Sequence, residues 1–205
     1  FVLRNTRGLK PEESDTFTVG VVLTPQFAPG LSVTIDYFDI KVDGLIDTFG
    51  AENTLAACYF EDDAAACSRI NRNALGQLWL GSGNVVDLNI NIGSKSTSGV
   101  DLQVNYSGVD IGSMGSLTFS IQGTYLNDII TEPGPGIDPY DCVGFFAGEC
   151  GTPAFKWRHM ARVGWKTPWE GVDMSLAWRY FGKSEQIGVT NLAKIDRSFG
   201  AENYF

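Results

Sequence analysis

Along residues 116–126, SLTFSIQGTYL, apolar and polar side chains alternate. Leu117, Phe119, Ile121 and Tyr125 fall on one face of an extended strand, with Thr118, Ser120, Gln122 and Thr124 on the other. The same two-residue period recurs elsewhere. TFTVGVVLTP sets Phe17, Val19, Val21 and Leu23 against Thr16, Thr18, Gly20 and Thr24, and Pro25 stops it. LSVTIDYFDIKV sets Leu31, Val33, Ile35 and Tyr37 against Ser32, Thr34 and Asp36; near Tyr37 the apolar phase passes to Phe38, Ile40 and Val42, which predicts a β-bulge. STSGVDLQVNY sets Val100, Leu102, Val104 and Tyr106 against Asp101, Gln103 and Asn105.

Two further strands close the series. FKWRHMARVGWKTPW places Phe155, Trp157, Ala161, Val163 and Trp165 opposite Lys156, Arg158, Arg162 and Lys166. VDMSLAWRYFG places Val172, Met174, Leu176, Trp178 and Tyr180 opposite Asp173, Ser175, Ala177 and Arg179. The pattern predicts about six main strands in three hairpins.

The connections between these strands alternate short, long, short, long, short. The segment from Asp43 to about Ser82 reads as a loop with room for a short helix in NTLAACYFEDDAAACSRI, before VDLNINIG resumes alternation through Leu88, Ile90 and Ile92. A Pro- and Gly-rich loop follows Asn127, and a Gly-, Asn- and Asp-bearing tail reads as a third. SFGAENYF does not alternate as a terminal strand should.

Composition narrows the class. Charged residues are 19%, aromatics 12%, and there are 24 glycines, a profile of strands and turns. The net charge of −9 argues against nucleic acid as a partner. Residues 43–98 hold seven acidic and three basic side chains, and residues 127–150 five acidic and none basic, so the two long connections carry the acidic surplus. No apolar run reaches the roughly 18 residues of a transmembrane helix.

The four cysteines form two local pairs, Cys58 with Cys67 and Cys142 with Cys150, each inside an acidic, turn-rich segment. Their spacing does not fit the short gaps of zinc sites, so structural disulfides and an oxidising compartment are expected. Loops this short gain about 2 to 3 kcal/mol each from closure.

An alternating strand fits a water-soluble sandwich as well as a membrane barrel. The loop rhythm is that of outer-membrane barrels, which join tilted strands by brief turns at one end and extended loops at the other. Trp165 and Trp169 at the short-turn end, with Tyr125, Trp157 and Tyr180 toward the long-loop end, match two interfacial girdles. The fold class is therefore all-β: an antiparallel transmembrane β-barrel, present as an incomplete segment, because six strands are fewer than the about eight of the smallest barrels. The natural chain is expected to be longer.

Several stretches resemble the C-terminal half of a TonB-dependent outer-membrane receptor: GLKPEESDTFTVGVV, PGLSVTIDYFDIKVDGLI, TSGVDLQVNY and GTPAFKWRHMARVGWKTPW with WRYFG. The resemblance spans nearly the whole chain, so residues 1–205 read as a partial barrel domain without plug, TonB box or final strands. It implies a barrel of about 22 strands around an N-terminal plug. It also implies a place in the outer membrane of a Gram-negative bacterium with loops extracellular. The partners implied are membrane lipid, the plug, the TonB complex and an unidentified external ligand imported into the periplasm.

Nothing in the sequence calls for an enzyme, a metal or a cofactor. No nucleophile elbow or paired-carboxylate site is present, and His159 shares the phase of Trp157 and Val163, which marks it as an interfacial side chain. Glu61, Asp62 and Asp63 lack the spaced ligands of a Ca²⁺ loop and read as a solvated face. The polar residues expected to face the lumen are Asp36, Asp101, Gln103, Gln122, Lys156, Arg158, Arg162 and Arg179. The cationic row is expected to pair with Asp36, Asp101 or the plug, and otherwise to steer an anionic ligand. A soluble extracellular β-sandwich that binds carbohydrate, and a passive porin-like barrel, are the alternative readings.

Overall fold

The computed structural model describes residues 8–134, 138–186 and 198–205. Its main sheet runs through seven strands that follow chain order: β1 (Glu13–Leu23), β2 (Leu31–Asp43), β3 (Ser94–Asp110), β4 (Ser116–Glu132), β5 (Trp157–Lys166), β6 (Asp173–Phe181) and β7 (Glu202–Tyr204). β1 and β7 stand at the two ends of this path. A two-residue strand, Tyr140–Asp141, pairs with β4 beside it.

The six expected strands are thus present, and the tail adds a seventh. Glu202–Tyr204 pairs antiparallel with β6, Arg179 opposite Tyr204, although its sequence does not alternate. The expected third long connection falls partly outside the described residues.

Register shows why the sequence alternates. Across β4, β5 and β6, Leu117, Trp165 and Met174 are directly opposite one another, as are Phe119, Val163 and Leu176, and then Ile121, Ala161 and Trp178. The intervening rows are Ser116, Lys166 and Asp173; Thr118, Gly164 and Ser175; Ser120, Arg162 and Ala177. One face of this ladder is apolar and the other polar.

Nothing among the described residues covers the apolar face. Phe17 is 62% exposed and Leu176 61%, and Val19, Ile35, Phe119, Ile121, Val163 and Met174 are exposed as well. A soluble sandwich would bury these side chains between two sheets; here they require an apolar medium outside the chain.

The predicted bulge in β2 is absent. Exposure alternates without a break from Ile35 to Asp43. Tyr37 donates its hydroxyl to Asp39 at 3.3 Å, and further along Lys41 pairs with Asp43 at 3.0 Å, each across one pleat repeat. Phe38 instead turns to the polar face, where its ring fills the space a Cβ at Gly99 would need. The strand keeps its pleat and changes environment: beyond Tyr37 the outward positions become polar.

β3 and β4 are each 17 residues, longer than the alternation predicts. Their extension is held by polar cross-strand bonds. Asp128 accepts from the Ser98 amide at 3.1 Å and the Ser98 hydroxyl at 2.5 Å, and the Thr97 hydroxyl donates to the Asp128 carbonyl at 3.1 Å. Such pairs need no apolar period.

The chain divides into two compact units, one built around Lys41–Lys95 and the other around Thr16–Ile40, Ser96–Ile130 and the residues from Asp141 onward. The first corrects the reading of residues 43–82 as a plain loop, because it has a small core of its own. It holds α1 (Ala51–Phe60) and α2 (Ala64–Cys67), joined by the Cys58–Cys67 disulfide. It also holds two small ladders, Ile46–Thr48 with Asn89–Asn91 and Ile70–Asn71 with Asn84–Val85.

Thr54, Ala57, Ala66, Val85 and Asp87 are buried in this unit, with the Gly50 amide donating to Asp87 at 3.1 Å. The LKPEES stretch anchors here. Lys10 exchanges backbone hydrogen bonds with the Asn91 side-chain amide at 2.8 and 2.9 Å, and the Ile46 amide donates to Glu12 at 2.7 Å. In the other unit, Cys142 and Cys150 form the second expected disulfide.

Candidate functional site

The polar face of the sheet forms an open concavity of about 530 Å³, lined by Asp36, Asp101, Gln103, Gln122, Arg158 and Arg179 together with Thr124, Met160 and Phe181. Six of the eight residues expected to face the lumen therefore converge. β4, β5 and β6 align Thr124 with Arg158 and Phe181, and Gln122 with Met160 and Arg179. Arg162 lies on the same face one pleat further along, opposite Ser120 and Ala177, and donates to the Ser175 hydroxyl at 3.1 Å.

Lys156 departs from its expected place. It precedes β5, and its Nζ lies 5.6 Å from the ring centroid of Tyr125, an apolar-face residue opposite Trp157. Phe155 makes the converse move and packs at 5.2 Å on Phe181, which lines the concavity. The pleat begins only at Trp157, so alternation does not bind the two residues before it.

Charge in the concavity is segregated. Asp36 stands on β2 and Asp101 on β3, whereas Arg158 and Arg179 stand on β5 and β6. The expected pairing of these groups is not found: the ion pairs among the described residues are Lys41–Asp43 at 3.0 Å and Lys183–Glu185 at 3.6 Å. Asp101 instead accepts from the Thr124 hydroxyl at 2.7 Å, and Thr124 is the residue opposite Arg158. A neutral hydroxyl thus holds the carboxylate on the near side of the cationic strands.

Sequence reasoning missed Met160 and Phe181. Parity was the available signal for both: Met160 lies between Arg158 and Arg162 on β5, and Phe181 follows Arg179 by one pleat repeat on β6.

The opposite face carries two aromatic clusters. At the short-turn end, the Trp165 and Trp169 rings lie 5.8 Å apart, and the Trp165 indole donates to the Met114 carbonyl at 2.7 Å. At the other end, His159 accepts from the Trp157 indole at 2.9 Å, stacks on Tyr180 at 5.2 Å and meets Trp178 edge-on at 4.6 Å. His159 is therefore part of an aromatic belt, as its register predicts. The Trp157 ring lies over Gly123, where any Cβ would collide with it. From Trp157 to Trp165 the strand rises about 27 Å, or about 20 Å once tilted, close to the height of an apolar membrane band.

In the long connection, one residue of the acidic triplet has structural work to do. Asp63 caps α2, accepting from the amides of Ala65 at 2.8 Å and Ala66 at 3.4 Å. No cluster of potential metal ligands occurs among the described residues, and none of their helices is long and apolar enough to cross a membrane, which leaves crossing by strands open.

A two-faced antiparallel sheet with an uncovered apolar face, aromatic belts at both ends of that face and a polar concavity behind it is a segment of transmembrane β-barrel wall. Residues 1–199 match the family described as TonB dependent receptor-like, beta-barrel, and the chain belongs to that family, whose members are outer-membrane receptors and transporters rather than enzymes. Among curated proteins no match was found.

Two solved structures share the fold. One is a mutant of the ferric enterobactin receptor PfeA of Pseudomonas aeruginosa in complex with enterobactin, at 14% identity and a TM-score of 0.58. The other is the FrpB iron transporter of Neisseria meningitidis, at 10% identity and a TM-score of 0.50. Each alignment covers 98% of this chain and 24% of the other, so the chain spans about a quarter of their length.

Proposed function

We propose that this chain is wall and loop of an outer-membrane receptor that binds a scarce external ligand and imports it into the periplasm with energy relayed through TonB. The long, disulfide-braced connections face the outside and contribute to capture. The polar concavity faces the lumen and a plug, and no covalent chemistry takes place. The observation that carries this reading is the register of β4, β5 and β6, which sets an apolar face against a mainly polar one along three strands. Family membership supports the energised-receptor part of the reading.

Uptake in the host cell tests it. A strain lacking the receptor loses accumulation of the ligand, and so does a strain with inactive TonB that retains the receptor. Uptake that persists without TonB would favour the passive porin instead. Ferric siderophores are the first ligands to supply, since the structural neighbours are an enterobactin receptor and an iron transporter.

A further inference from the structure

The connection between β2 and β3 displays large apolar side chains on a rigid frame. Tyr59 and Phe60, at the end of α1, are 80% and 78% exposed, with ring centroids 5.0 Å apart in an edge-on arrangement. They border an open concavity of about 400 Å³ whose other walls include Glu52, Leu55, Ile70 and Arg72. The turn that follows presents Leu75, Trp79 and Leu80 to solvent, with Trp79 69% exposed. The paired rings of Tyr59 and Phe60 beside this concavity mark an interaction surface.

This surface is held in place before any partner arrives. The Cys58–Cys67 disulfide ties the end of α1 to α2. Asn73 organises the turn: its Oδ1 accepts from the amides of Leu75 at 3.0 Å and Gln77 at 2.9 Å, and its Nδ2 donates to Gln77 Oε1 at 3.2 Å and the Leu80 carbonyl at 2.9 Å. Groups ordered in advance lose little entropy on binding.

Two observations identify the occupant. Rings this exposed do not enclose a small molecule, which needs most of its surface buried; a peptide supplies the missing cover from its own side chains. Charge fixes the sign. Residues 43–98 hold seven acidic and three basic side chains. Glu52 lines the concavity, and Glu61 and Asp62 follow Phe60 directly. The one cation on the concavity wall, Arg72, donates to the Gly76 carbonyl at 3.0 Å.

We propose that this module docks a cationic amphipathic peptide, with its Lys and Arg side chains against Glu52, Glu61 and Asp62 and its apolar side chains on Tyr59, Phe60 and Leu55. The proposal rests on the reading that the long connections face the cell exterior.

The test uses the natural receptor in nanodiscs of zwitterionic lipid, with empty nanodiscs as blank. The probes are an amphipathic Lys/Leu peptide and its Glu/Leu counterpart, measured by calorimetry. The Lys/Leu peptide is expected to bind and to weaken with salt. The Tyr59→Ser/Phe60→Ser and the Glu52→Gln/Glu61→Gln/Asp62→Asn variants should each lose at least about tenfold in affinity, roughly one hot-spot contribution. Equal affinity for both peptides, or unchanged affinity in both variants, overturns the proposal.

Hydroxyl-radical footprinting without peptide must find Tyr59 and Phe60 reactive; protection there means that another segment of the receptor covers the surface, and the proposal falls. A Leu75→Cys receptor on intact cells separates the two readings. Failure to react with an impermeant thiol reagent unless the cells are broken sinks the outward orientation. Labelling of intact cells without peptide discrimination sinks the docking proposal alone.

Discussion

The indole N–H of Trp157 donates to Nδ1 of His159 at 2.9 Å, which fixes the lone histidine of the chain as an acceptor within an aromatic belt. Tyr180 stacks on the same imidazole and Trp178 meets it edge-on. A His159→Phe variant keeps the packing and removes the hydrogen bond, so it should cost about 1 kcal/mol. His159→Ala removes the ring contacts as well and should cost about 2 kcal/mol or more. Urea unfolding in bilayers reads both; equal stability of all three proteins would mean that the belt does not depend on this residue.

Gly123 makes room for the Trp157 ring. Gly123→Val forces the indole off its seat and is expected to destabilise the wall by about 1 to 3 kcal/mol, the usual range for overpacking. The displaced ring should also shift the tryptophan emission of the folded receptor. An unshifted spectrum with unchanged stability would show that the indole sits elsewhere.

Ile121 and Gln122 are neighbours in β4 with opposite surroundings. Ile121 lies opposite Ala161, midway between the two aromatic clusters, and Gln122 lines the polar concavity. Ile121→Arg places a guanidinium near the middle of the apolar band, at about 2 to 4 kcal/mol. Gln122→Arg stays in water and should fall within about 1 kcal/mol of the parent. The reverse ranking, in unfolding experiments from vesicles, would invert the assignment of the two faces.

Much of this architecture was legible because the pleat forces alternation wherever one face meets an apolar medium. That constraint yielded the six strands, their faces and the side-chain row around Arg158 and Arg179. It yielded nothing where the constraint lapses. Phe155 and Lys156 precede the first pleated residue of β5, and their faces are set by Phe181 and Tyr125, two partners distant in sequence.

The phase change at Tyr37 has the same origin, since the outward positions beyond it are polar and the inward ones, Phe38, Ile40 and Val42, are apolar. Asp128 reads as loop, yet it bonds Ser98 and extends β3 and β4 past the apolar band. The core around Ala57, Ala66 and Val85 is built from small residues whose burial leaves little trace in hydropathy.

Asp63 and the Cys58–Cys67 bridge stabilise the same helix pair by different means. α1 has no side-chain N-cap, whereas α2 begins on the Asp63 carboxylate. Asp63→Ala should cost the module about 1 kcal/mol. Cys58→Ser with Cys67→Ser should cost about 2 to 3 kcal/mol through the unfolded state. Hydrogen exchange over residues 51–67 of the intact receptor is expected to speed up in that order, with the strands unchanged. Faster exchange spread through β4 and β5 would show that the module does not open on its own.

Thr124 separates opposite charges. Its hydroxyl donates to Asp101 at 2.7 Å while its backbone lies opposite Arg158, and no ion pair joins Asp101 to the cationic row. In Thr124→Val the carboxylate loses its donor, and the cation on the strand position opposite residue 124 is Arg158. The expected result is a coupling that the parent lacks: a double-mutant cycle between Asp101→Asn and Arg158→Gln should give close to zero in the parent and about 0.5 to 1 kcal/mol in the valine background, the range of an exposed pair. That coupling should fade at high salt. A cycle that already couples the two charges in the parent would mean that Thr124 does not hold them apart, and the segregated concavity would then be an ordinary ion-paired wall.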